Sequence, residues 1–471
     1  MKEGFLTMVS KSKKIVALVL TAMMAATSLA GCATGSTTTS STAPAASTAE
    51  STGSTETVSA VDVDSDEVMT QIKDAIAQEA QENGGKVSLK VWCSGDDLAF
   101  EKTLIEEFST KYADSRYEFD IRAKGSIGED SAGGKIIESP KDGADVFNFA
   151  DDQLSSLVEA KAIAKVADLF NENVKKNNTA DAVEVCSQNG IAYAFPKTSD
   201  NGYFLYYDKR IFKDESAVAS FDDMIKTAND AGKSVYFNLG NGWYSTGVFF
   251  TAGCTVEYKD GKQTATYNTP EGLSAAKAMC HLAENIGKGF VGTAGSSGDN
   301  ATVQQGFASG EFAAAVIGTW MGPAIKDAIG EENVGAAKLP TVLMDGEQKQ
   351  LHSFGGYKII GVNAFSKFPT TAQALAYFLS TKDSQVKRYE TRGLIPTNSE
   401  ALEDSKIKED PALKAITAQR EFAHPQGSSV GGKYWASNIA GFGGEIVTAK
   451  GKLTDAELEK KLNDLVTQFE G

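Results

Sequence analysis

FASGEFAAAVIGTWMGPA, residues 307–324, contains an unbroken apolar run from Phe312 to Ile317. Apolar residues without alternation are what a strand buried on both faces of a largely parallel sheet requires. Gly318 and Thr319 end the run, and Pro323 suits the first turn of a following helix. Trp320 is therefore expected just past the carboxyl end of a core strand, where open α/β sheets hold their ligands. A ring of that size either plugs a core or floors a small-molecule site.

Similar units recur upstream. VSLKVW (Val87–Trp92) reads as a strand, CSGDD as a turn, and 98–112 as a helix with Phe100, Leu104 and Phe108 on one face. ADVFNFA (144–150), Asp151-Asp152 and 153–160 repeat the pattern, which points to a doubly wound sheet. GSIGEDSAGGK (125–135) looks like a phosphate loop, but its Gly/Lys spacing is wrong and Ile136 stands where Ser or Thr is needed. The chain passes from a hairpin ending at Pro196 through the polar bend 197–202 into a strand at Tyr203–Tyr207. Helical patterns at 221–231 and 271–286 flank FNLGNGWYSTGVFF (237–250), where Trp243 and Tyr244 sit among glycines. HSFGGYKIIGVNAFSK (352–367) supplies a further strand, and KYWASNIAGF carries Trp435. A capping box, Thr454-Asp455-Ala456-Glu457, opens a last helix with Leu458, Leu462, Leu465 and Phe469 on its apolar stripe.

A chain of 471 residues is too long for one core and implies two lobes. The formal net charge is −16; residues 1–31 carry four lysines and one glutamate, so the remainder carries −19. That excess argues against nucleic acid or an anionic membrane surface as the main partner. Lys11, Lys13 and Lys14 precede a short apolar run (15–26) and Leu29-Ala30-Gly31-Cys32. This is a secretory signal, too short for a comfortable membrane span; Met8 gives it a more usual length than Met1. LAGC resembles the lipobox of bacterial lipoproteins, which makes Cys32 the lipidated first residue of the mature chain. Residues 33–60, nearly all Ser, Thr, Ala and Gly, make a flexible tether with an r.m.s. span of roughly 30 Å. Val68, Ile72, Ile76 and Ala80 mark a short helix within 61–86. Cys93, Cys186, Cys254 and Cys280 show no metal or framework spacing, and no disulfide is expected.

In order, LAGC with its linker, KVWCSGDD, ADVFNFADD, IAYAFPKTSDNGYFLYYDK, FASGEFAAAVIGTWMGP, KLPTV (338–342), GGYKIIGVNAFSK and GLIPTN (393–398) together resemble a known family. They resemble the extracellular solute-binding lipoproteins of bacterial ABC importers, of the carbohydrate-binding type, and among these the maltose and maltodextrin binders most. The resemblance implies an α/β fold of two hinged lobes with the ligand cleft between them, the periplasmic-binding-protein-like fold of type II. One lobe holds 87–199 and 353–398, the other 203–350 and 400–471. It implies a monomeric receptor, lipid-anchored on the extracellular face of a Gram-positive membrane. The receptor hands an oligosaccharide to permease subunits, with no cofactor, no metal and no chemical turnover.

By the same resemblance, Asp96 and Asp152 are the sugar-contacting acids, and Trp243, Trp320 and Trp435 the aromatic platforms. Asp200 or Asn201 is a polar contact in the hinge bend; Asp97 and Tyr244 adjoin these positions and complete the expected site. Carboxylates accept several hydroxyl hydrogen bonds at once, and flat rings meet the C–H faces of a pyranose. Asp97 stands where maltose binders often have Lys, Asn241 where a Glu is common, and Phe149 where a Trp is, which leaves the sugar open. Asp97 and Asp152 also fit helix N-caps. Two other readings stay open: a receptor for a charged solute such as a polyamine, and a secreted glycoside hydrolase. GSSVG (427–431) fits GxSxG, but no strand precedes it and none of His281, His352 and His424 shares a motif with it.

Overall fold

The computed structural model describes residues 60–470 apart from 260, 296, 297, 432, 433 and 436, so the expected signal segment, Cys32 and nearly all of the tether lie outside the described residues. Two five-stranded sheets organise the chain. In the first, Glu118–Lys124, Lys86–Trp92 and Val146–Ala150 run parallel, followed by Lys358–Val362 antiparallel and then Ala194–Thr198 at the edge. Pro196 is tolerated there because an edge strand has a ladder on one side only. The second sheet runs Phe290–Val291, Ser234–Tyr236, Phe312–Ile317, Phe204–Asp208, Val334–Ala337.

Phe312–Ile317 is the middle strand of its sheet and every residue of it is buried. The sheet is mixed where a largely parallel one was expected: this strand is parallel to Ser234–Tyr236 but antiparallel to Phe204–Asp208. The reason is the crossing itself. Phe204–Asp208 enters from the other lobe and arrives running the opposite way.

The chain crosses between lobes three times. Residues 199–203 join Thr198 of one sheet to Phe204 of the other. The segment after Val334–Ala337 returns through Ser353–Gly355 to Lys358–Val362, so the strand expected at 352–367 is two strands broken at Gly356-Tyr357. Residues 393–410 lead from helix Lys382–Arg392 to helix Pro411–Gln419, whose Ala412, Ala415 and Ile416 join the core of the second lobe.

Helix Asp66–Glu82 buries Val68, Ile72, Ile76 and Ala80 in the core of the first lobe. Its Glu79 carboxylate accepts from Thr370 N (2.5 Å), Thr371 N (3.1 Å) and Thr371 Oγ1 (2.8 Å), so it caps helix Pro369–Leu379 from outside. At the other terminus Thr454 and Glu457 form the capping box: Thr454 N donates to Glu457 Oε2 (2.8 Å) and Glu457 N to Thr454 Oγ1 (3.3 Å). Leu458, Leu462, Leu465 and Phe469 are buried as the stripe requires. All four described cysteines are free thiols in buried positions.

FNLGNGWYSTGVFF contains a helix, Gly242–Ala252, that glycine content alone conceals. Its ends are marked: Asn241 accepts from Trp243 N (3.0 Å), and Gly253 sits at φ 95° after the last turn. Helix Ile439–Thr448 holds the entry to it. A Cβ on Gly443 would collide with the Leu239 carbonyl oxygen, and one on Gly444 would stand 2.5 Å from the Ala294 oxygen. Gly443→Ala is expected to cost about 1–3 kcal/mol, because neither backbone can yield easily. The shift of the urea midpoint measures it.

Candidate functional site

Between the two sheets lies a cleft of about 570 Å³, lined from both lobes. The first lobe contributes Asp96 and Asp97 past the end of Lys86–Trp92, Glu129 and Asp130 from the rejected phosphate-like loop, and Asp152 past the end of Val146–Ala150. Lys358 and Arg392 complete that side. The second lobe contributes Asn241 and Trp243 at the start of a helix, Asn300, Trp320, Gln426 and Trp435; Asn201 comes from the hinge. Strand ends and helix starts carry short polar tips and rings into one gap, as open sheets do.

The aromatic groups form one linked face. Trp243 and Trp320 lie with centroids 6.0 Å apart and planes at 41°. Trp243 Nε1 donates to Gln426 Oε1 (2.8 Å), and Trp320 Nε1 donates to Asn300 Oδ1 (2.9 Å). Contacts that span the cleft include Asn300 Nδ2 to Asp96 Oδ2 (3.4 Å), Trp435 Nε1 to Asp152 Oδ2 (3.3 Å), and the Lys358 ammonium 5.5 Å from the Trp320 ring centre. Trp435 is 36% exposed at the mouth.

Beneath the first lobe's face lies an ion network that the sequence reading did not find. Lys197, with no exposed side-chain surface, donates to Glu129 Oε1 (2.7 Å) and Asp97 Oδ2 (3.2 Å). Lys358 Nζ lies 2.7 Å from Glu129 Oε2, and Arg392 Nε donates to Asp97 Oδ1 (2.9 Å). Burial alone would raise both acids, yet Lys197 with Arg392 holds Asp97 below the usual carboxylate range, and Lys197 with Lys358 holds Glu129 below it. Burial would likewise strip the Lys197 proton, but Glu129 and Asp97 keep its ammonium charged. Asp97 begins helix Leu98–Lys111 without capping it through its side chain, because both carboxylate oxygens serve this network.

Two expected contacts are elsewhere. Tyr244 is 3% exposed and packs its ring 4.9 Å from that of Tyr203 in the core. One helical residue is a turn of about 100°, so Trp243 and Tyr244 cannot both face the cleft. Asp200 is a hinge staple: its Oδ2 accepts from Thr319 Oγ1 and from Ile395 N (3.1 Å), tying one crossing to the end of the central strand and to another crossing. Asn201, its neighbour, does line the cleft and donates to Gln426 Oε1 (3.3 Å). Among the described residues, no group of three or more His, Cys, Asp or Glu side chains could hold a metal ion.

Residues 103–415 match the model of the bacterial extracellular solute-binding proteins. The chain belongs to that family. It is 27% identical over 296 residues to a maltooligosaccharide ABC transporter solute-binding lipoprotein of Streptococcus pneumoniae, covering 60% of this chain and 66% of that one, just under two thirds of its length. It is 26% identical over 295 residues to a galactooligosaccharide-binding protein of Bacillus subtilis, covering 60% and 67%. A structure solved with acarbose superposes with a TM-score of 0.69 at 29% identity, covering 82% of this chain and 99% of that one. The two-lobed fold of this solute-binding protein is thus that of the type II periplasmic-binding proteins.

Two predictions follow from the buried charges. Glu129→Leu leaves Lys197 and Lys358 without their shared acid and is expected to cost about 3–5 kcal/mol in urea unfolding, with Glu129→Gln costing less. Just past the end of Val146–Ala150, burial and then the Asp152 charge push Asp151 up to about 8, and burial pushes Asp152 up to about 6. The folded state therefore holds an extra proton on Asp151 from about pH 4, the unfolded value, up to about pH 8. Stability falls as pH rises through that window. Asp151→Asn removes the penalty: urea midpoints of variant and wild type should nearly coincide near about pH 4, with the variant ahead at about pH 9.

Proposed function

We propose that this protein is the ligand receptor of an ABC importer and captures a neutral oligosaccharide, of the malto-oligosaccharide class, between its lobes. The observation that carries the reading is the paired indoles of Trp243 and Trp320 facing carboxylates from the opposite lobe across one cleft. Rings stack on the apolar faces of sugar units, while Asp96, Asp152, Asn201 and Gln426 offer acceptors and donors to the hydroxyls between them. Binding holds the lobes together, and the closed pair of lobes is what the permease subunits receive. No bond in the sugar changes. Cys32 carries the lipid that keeps the receptor on the outer face of the cell membrane.

The names of the relatives support an oligosaccharide and divide between maltooligosaccharide and galactooligosaccharide. The structure solved with acarbose favours the first. A polyamine is the second reading: Asp97 and Glu129 are neutralised by Lys197, Lys358 and Arg392, while Asp96, Asp130 and Asp152 remain in the cleft as acids that a polycation would also use.

Isothermal titration with maltotriose, maltotetraose and galacto-oligosaccharides tests the reading, with spermidine as the charged control. Binding of a sugar and not of spermidine in the cleft is expected; no heat from any sugar overturns it. Trp320→Ala should weaken the bound sugar by about 1–3 kcal/mol while leaving the circular dichroism spectrum unchanged, because a platform is lost and the strand beneath it is not. Labelled maltotetraose incubated with the protein should be recovered intact.

A further inference from the structure

A second cavity, of about 600 Å³, lies at the hinge and shares no lining residue with the cleft. Both lobes and two crossings line it: Asp151 and the helix Ala180–Val185 on one side, residues 353–357 in the middle, Gln419, Arg420 and His424 on the other. Its volume lies in the range of small-molecule sites. Three acids reach it, Asp151, Asp181 and Glu184, against the single charge of Arg420. Arg420 already donates to the Ser199 carbonyl (3.1 Å). His424 adds no charge: burial and then His352 push it down to about 4. Tyr357 and His424, both half-buried, supply rings.

Asp151 is the unusual member. It is 6% exposed, and its Oδ1 has no hydrogen-bond partner, a costly state for a buried polar atom. Gly356 makes room for it: a Cβ there would stand 2.8 Å from that oxygen. A neutral guest can at most accept the proton of the buried acid, whereas an ammonium group forms a charged pair with its carboxylate, and the rings favour a cation with an apolar body.

We propose that this cavity at the hinge is a second ligand site, for a small organic ammonium compound whose charged end pairs with Asp151 and whose apolar body lies against Tyr357 and His424. Glu184 and Asp181 at the rim draw the cation in. On binding, the Asp151 carboxyl gives up its proton to solvent and the ammonium–carboxylate pair replaces it, so uptake of the amine releases a proton at neutral pH.

The test is calorimetry on the full chain with phenethylamine, and with 2-phenylethanol as the neutral counterpart. Phenethylamine is expected to bind with a heat that varies with the ionisation enthalpy of the buffer, and 2-phenylethanol at least tenfold more weakly. Asp151→Asn should lose the buffer dependence and at least tenfold in affinity, and the exposed Glu184→Gln should lose a few-fold without touching the fold. Trp320→Ala, in the other cavity, should bind the amine as wild type does. Equal binding of amine and alcohol, or undiminished binding in Glu184→Gln together with Asp151→Asn, overturns the proposal. So does loss of amine binding in Trp320→Ala, which would put the amine in the sugar cleft.

Discussion

A lysine with no exposed side-chain surface determines what the first lobe can present. Lys197 sits on an edge strand and reaches under the cleft to two acids, one after the first strand of the sheet and one in a loop between its second and third strands. An ammonium in such a place survives only if its counter-charges are held rigidly, and those counter-charges are held in turn by Lys358 and Arg392. Five segments of sequence are thereby fixed to one another beside the hinge. The polar edge above them, Asp96, Asp130 and Asp152, inherits its positions from that arrangement.

The second lobe achieves order differently, by packing. Its central strand is apolar throughout, and Trp320 stands where that strand ends, resting on no salt bridge of its own. Trp243 is placed by a helix start whose approach is set by two glycines on a neighbouring helix. One wall of the cleft is thus electrostatic and rigid, the other aromatic and hydrogen-bonded through amides. The two meet across Asn300, Asp152 and Trp435.

The parts of this arrangement legible in sequence were those written locally. The run at Phe312–Ile317, the stripe of the last helix and the rings beside strand ends all depend on residues a few places apart. The ion network was illegible because Lys197 is separated from Asp97 by 100 positions and Arg392 from Asp97 by 295. Glu129 was passed over for a further reason: its loop failed as a phosphate motif and was set aside whole. Gln426 was overlooked beside a failed nucleophile motif, although it bridges Trp243 and Asn201. Tyr244 is expected in the site only as the neighbour of Trp243, and the resemblance leaves Asp200 and Asn201 as alternatives; a one-residue step on a helix or in a bend changes which way a side chain faces. The helix Gly242–Ala252 did carry its signals, an Asn cap and a terminal glycine, and apolar residues on every side masked its period.

The helix Asp66–Glu82 packs on the first lobe, and Glu79 fastens it by three hydrogen bonds to the start of another helix of that lobe. Whatever pulls on the chain ahead of residue 60 therefore pulls on one half of the molecule. That half acts as the stator. The other is joined to it through the three crossings and the contacts across the cleft, so a fixed point upstream bears on the first lobe and leaves the second free to be the rotor.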